Sequence, residues 1–137
     1  MATESPSNQP DPAALLAAVR AFLEESAVPN LHGAAAYQAR VAAKALQIAG
    51  RELAQGPAAV QAERAGLAAL LGRDGSLAVL NAELCARLRE NRIALDDPAL
   101  RAHLRRCVLA RLAIDNPEFP LYRAALAREH PSTRGQA

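Results

Sequence analysis

Apolar residues recur along this chain at spacings of three and four, the period of an amphipathic helix. Leu15, Leu16, Val19, Phe22 and Leu23 form one stripe. Leu67, Leu70 and Leu71 follow Val60 in a second, and Leu77, Leu80, Leu84 and Leu88 make a third. Helix punctuation lies between the stripes. Asp11-Pro12 and Asp97-Pro98 each set a capping carboxylate before a proline at the first helical position. Gly56-Pro57 reads as the end of one helix and the start of the next. Pro29 and Asn116-Pro117 read as further breaks, and Arg73-Asp74-Gly75-Ser76 as a turn whose serine caps the following helix. The pattern predicts helices over about 12–27, 31–55, 57–71, 77–91 and 98–115, with a short sixth at about 119–129. Short connections between helices favour antiparallel neighbours, so the expected fold is an all-α, up-and-down bundle of five to six helices. One bundle domain over 11–129 is expected, between disordered tails at 1–10 and 130–137.

The longest predicted helix is the most informative. With residue 34 at zero and about 100° per residue, Val41, Ala45, Ile48, Ala49, Ala42, Leu53 and Leu46 form one broad apolar arc. Ala39, Gly50 and Ala43 extend it to about 180°. Gln47, Arg40, Arg51 and Lys44 fall between about 220° and 280°, with Tyr37 beside them. In the 98–115 helix, Leu100, Leu104, Val108, Leu112 and Leu109 form the expected core face, widened by Cys107, Ile114, Ala110 and His103. A helix apolar over so wide an arc is central in its fold or covered by a second subunit, which predicts a homodimer.

Composition agrees with the helical reading. The chain holds 34 Ala and 20 Leu but only 11 Val, Ile and Thr together, which leaves little to build strands from. Sheet-based nucleotide and hydrolase sites are thereby excluded. The net charge of +2 is too balanced for bulk attraction to nucleic acid, and two Tyr with two Phe offer few stacking platforms. No apolar run is long enough to span a membrane, and Met1 to Pro12 lacks the basic and apolar regions of a signal peptide. The cytoplasm is the expected location.

Three features carry candidate chemistry. The stripe Tyr37, Arg40, Lys44, Gln47 and Arg51 puts three cations on one helix face with no carboxylate three or four residues away inside it. Such a face meets negative charge from a partner, from a ligand, or from acids of the chain such as Glu24, Glu25 or Glu63. The second feature is Arg111, Asp115 and Asn116 at the end of the 98–115 helix. There the aspartate opposes the helix dipole and needs an arginine or backbone N–H groups to hold it. The third is Cys85, His103 and Cys107. His103 and Cys107 are spaced as two metal ligands on one helix face. A structural zinc site wants four ligands, so both cysteines are expected to be reduced, metal-free and mostly buried. No nucleophile with an orienting base, and no cofactor motif, stands out.

The segment Tyr37-Gln38-Ala39-Arg40-Val41-Ala42-Ala43-Lys44-Ala45-Leu46, with Arg51-Glu52-Leu53 and Gly56-Pro57, resembles a small all-helical bacterial family of unknown function. Leu109-Ala110-Arg111-Leu112-Ala113-Ile114-Asp115-Asn116-Pro117 resembles it as well, so the likeness spans roughly 12–123. Members are often encoded beside aminoglycoside-phosphotransferase-like kinases and acyl-CoA dehydrogenases. The resemblance implies a helper or partner of an enzyme acting on a phosphorylated or CoA-linked metabolite. Together with the basic stripe and the wide apolar arc of the 98–115 helix, it sets the expectation of a non-catalytic accessory protein that binds another protein, a phosphotransferase-like enzyme, with no cofactor. The competing expectation is a binder or enzyme for an anionic small molecule of nucleotide or CoA type. An enclosed pocket around Arg40, Lys44 and Arg51 would favour the small molecule, and a solvent-facing stripe would favour the protein partner.

Overall fold

The computed structural model describes residues 10–129, and the expected tails lie outside these except for Pro10. Among the described residues every regular element is helical. The elements are α1 (Pro12–Phe22), a π turn (Leu23–Ala27), α2 (Val28–Asn30), α3 (Gly33–Leu71), α4 (Leu77–Arg89), α5 (Pro98–Asp115) and α6 (Pro120–Glu129). The chain divides into two compact units, Met1–Ala54 and Gln55–Ala137.

In the first unit, the Asp11 carboxylate accepts the Ala13 N–H at 3.4 Å and starts α1. Pro29 does not end this helix where the punctuation predicted. The backbone widens instead into the π turn, where the Val28 N–H bonds the Leu23 carbonyl, and helix resumes to Asn30. Proline supplies no N–H to the ladder, and a π turn is one way a helix absorbs such a defect. The Asn30 amide helps by donating to the Ser26 carbonyl at 2.8 Å.

The buried side of α3 in this unit consists of Ala36, Ala39 and Ala43. It lies at about 140–200° in the helical projection, at the margin of the predicted arc and next to the basic stripe. Val41 and Leu53, both within the predicted arc, are exposed. So are Leu15, Val19 and Phe22 of the α1 stripe, and α1 contains no buried residue. The correction has a simple cause: alanine packs on any side of a helix, so here small residues take the buried positions and bulky ones are left outside.

In the second unit, Leu67 and Leu71 of α3, Leu80 and Leu84 of α4, and Leu100 of α5 form one core, flanked by Ala68, Leu70, Leu77, Leu88 and Ile93. Helix α3 runs unbroken through Gly56-Pro57, contrary to the predicted break. A proline clashes with the Cβ of the residue before it, and glycine at 56 removes that clash. The helix ends instead at Gly72, whose φ of 69° is the left-handed conformation that closes helices. Asn91, at φ 53°, closes α4 in the same way, with the Arg92 N–H on the Arg87 carbonyl at 2.8 Å. Ser76 and Asp97 cap α4 and α5 as expected, through Val79 and Leu100. On α5 the buried line is Leu100, His103 and Ile114 with Cys107 half-buried, while Leu104 and Val108 of the predicted face are exposed.

Candidate functional site

The basic stripe lies in the first unit, on the flank of the alanine contact. Because Ala36, Ala39 and Ala43 turn inward, residues one step round the helix stand at its edge. Tyr37, Arg40 and Lys44 are exposed, and Gln47 and Arg51 are half-buried. Arg40, Lys44 and Gln47 form one side of an open cleft of about 240 Å³, together with Ala43. Glu24 from the π turn and Val28 from the start of α2 form the other. Tyr37 and Arg51 do not line it.

The pairing of these groups separates the explanations for the stripe. Lys44 donates from Nζ to the neutral Gln47 Oε1 at 3.1 Å. Glu24 shares the cleft, yet its ion pair is to Arg20 at 3.7 Å on its own helical run. Glu63 belongs to the second unit and accepts from Asn81 at 3.4 Å. Among the described residues no carboxylate lies within ion-pair distance of Arg40 or Lys44. Ion pairs with the described residues therefore do not account for these two cations.

Arg111 and Asp115 do meet. They form an exposed ion pair at 3.3 Å, one helical turn apart, so the aspartate at the negative end of α5 has an arginine to hold it. Asn116 follows as the residue that ends α5, its N–H on the Leu112 carbonyl at 2.9 Å. A surface pair of this kind is worth about 0–1 kcal/mol, which suits the end of a helix.

The cysteines require a correction: Cys85 is exposed on α4, whereas Cys107 is half-buried, and both are free thiols. Cys85 falls on the outward side because Leu84, one residue before it, points into the core. Cys107 Sγ lies 3.5 Å from His103 Nε2. Burial pushes the Cys107 thiol up from its usual range, reinforced by the Glu63 charge, and holds His103 below its usual range, reinforced by Arg106. Both partners are thus held neutral, the reverse of an activated thiolate–imidazolium pair. No group of three metal-ligating side chains is present among the described residues.

Two participants escaped the reading of the sequence. The π turn that brings Glu24 and Val28 to the cleft was masked by Pro29, which reads as a stop. Gly66 permits His103 to be buried: a Cβ there would sit 2.6 Å from His103 Nδ1. Its signal was available, since glycine inside a helical pattern costs about 1 kcal/mol against alanine and calls for a packing reason.

Fold and site together describe an all-helical protein with a basic cleft between helical segments and no catalytic constellation among the described residues. Residues 29–119 match the model of a family described as Domain of unknown function (DUF6285), and the chain belongs to that family. The match takes in Arg40, Lys44 and Gln47 but not Glu24 or Val28. No curated protein and no solved structure matches the chain at a significant level. No described helix is long and apolar enough to cross a membrane.

Proposed function

We propose that this protein is a non-catalytic accessory protein that binds another protein through the face carrying Tyr37, Arg40, Lys44, Gln47 and Arg51. One observation carries the reading: Arg40 and Lys44 stand exposed on one side of the cleft, with no carboxylate partner among the described residues. Arginine and tyrosine are enriched in protein interfaces because a weakly hydrated guanidinium and an amphipathic ring leave water at low cost. The arrangement weighs against nucleotide or CoA ligands, which need enclosed sites of about 300–1,000 Å³. This cleft is open and smaller than that.

The partner proposed is a phosphotransferase-like enzyme, on the strength of the resemblance in the 37–57 and 109–117 segments. Self-association through α5 belongs to the same proposal, supported by the exposed Leu104 and Val108. The cytoplasm remains the proposed location. The test is co-expression with such an enzyme from the source genome. Retention on a tagged copy of this chain through size exclusion supports the proposal. Separate elution of the two at micromolar concentration refutes that choice of partner.

A further inference from the structure

The cleft in the first unit has a shape and charge pattern specific enough to name what fits it. We infer that it receives an amphipathic acidic helix of the partner, one apolar side chain seated between Val28 and Ala43 and carboxylates one turn apart on Arg40 and Lys44. This inference rests on the partner-binding reading above and specifies its chemistry.

The spacing comes first. Arg40 and Lys44 are four residues apart on α3, so their charged ends follow one helical row. Carboxylates on a helix at the same spacing present the matching row, whereas a loop supplies it only by chance. The floor comes second. Val28 and Ala43 are apolar, and the volume of about 240 Å³ suits one side chain rather than a cofactor. An apolar knob flanked by acids is the pattern with which amphipathic helices enter grooves between two other helices. Charge is the third consideration. Glu24, on the opposite side, is already paired with Arg20, so Arg40 and Lys44 are cations of the cleft with no carboxylate partner among the described residues. The exposed ring of Tyr37, one turn before Arg40, extends the apolar contact beyond the cleft.

The probe is a synthetic helical peptide with a leucine flanked by glutamates four residues apart, labelled and titrated with the full chain. Saturable binding that weakens at least about tenfold in Arg40→Glu with Lys44→Glu, and returns when the glutamates of the peptide become lysines, establishes the site. The charge-swapped rescue keeps the result interpretable, because a misfolded variant would bind neither peptide. Val28→Trp, which fills the floor from the side opposite α3, should weaken the acidic peptide without creating affinity for the basic one. Absence of peptide binding overturns the inference, as does displacement of bound peptide by inorganic phosphate at equal concentration. If an enzyme partner is retained in an Arg40- and Lys44-dependent manner while the peptide fails to compete, the acidic-helix inference falls and the partner-binding reading stands. If the peptide binds and no enzyme partner is retained, the partner assignment falls and the cleft chemistry stands.

Discussion

The two units of the chain bury different kinds of residue. Among the described residues, the second encloses Leu67, Leu80, Leu100 and Ile114 completely, while the first encloses only Ala36, Ala39 and Ala43 and leaves Phe22, Val19 and Val41 at the surface. A leucine core gains about 1.5–3 kcal/mol for each side chain removed from water, and an alanine contact gains far less. What the alanine side borders is an open cleft, with Glu24, Arg40 and Lys44 on its edge. On the proposed function, stability and recognition are in this sense allotted to different stretches of one sequence.

The difference is largest for side-chain truncation. Leu80→Ala, in the completely buried centre of the second unit, should cost about 2–5 kcal/mol, whereas Val41→Ala should stay within about 0.5 kcal/mol of the parent. Urea denaturation followed by circular dichroism measures both. Equal losses would show that Val41 is covered and that the asymmetry between the units is false.

Next comes the close approach at Gly66. Gly66→Ala drives a Cβ into the His103 ring, at 2.6 Å from Nδ1, and should destabilise by about 1–3 kcal/mol. His103 must shift for that methyl to fit, so the two positions are coupled. In His103→Ala the added cost of Gly66→Ala should largely vanish, and a strictly additive double-mutant cycle would contradict the packing described.

A smaller effect concerns acid. Burial holds the imidazole of His103 below its usual 6.5, with Arg106 adding to the depression and Glu63 opposing it. The unfolded chain therefore takes up its proton first as pH falls. The folded state is at full advantage above the unfolded value of about 6.5 and loses stability as the pH drops from there toward the lowered folded value. Midpoints of unfolding measured from pH 8 to 5 should show this slope, and His103→Gln should flatten it. An unchanged slope in that variant would assign the acid sensitivity to other groups.

Sequence patterning served the second unit better than the first, for a physical reason. Bulky leucines at spacings of three and four have one sensible place to go, so Leu67, Leu71, Leu80 and Leu84 were legible as core. In the first half of α3 nearly every non-polar position is alanine, and alanine is indifferent to which side is buried. Two of its few larger residues, Val41 and Leu53, then pulled the predicted face toward the exterior. Helix limits set by capping chemistry held at Asp11, Ser76 and Asp97, while the limits assigned to Pro29 and Gly56-Pro57 did not. A proline breaks a helix only if the neighbouring backbone cannot absorb it; a π turn and a preceding glycine did so here. The cations of the stripe were visible from spacing alone. That Arg40 and Lys44 have no carboxylate partner among the described residues was not, because it depends on where Glu24 and Glu63 are held.

The most direct test of the functional account joins two readings on one variant, Arg40→Ala with Lys44→Ala, carried by the full chain. Neither side chain holds a carboxylate in the described structure, so thermal unfolding should move by no more than the equivalent of about 0.5 kcal/mol. Retention of the enzyme partner, or of the acidic peptide, should fall at least about tenfold. Intact stability with lost binding is the result the account predicts. A clear drop in the unfolding midpoint with binding preserved would contradict it and make the stripe part of the scaffold.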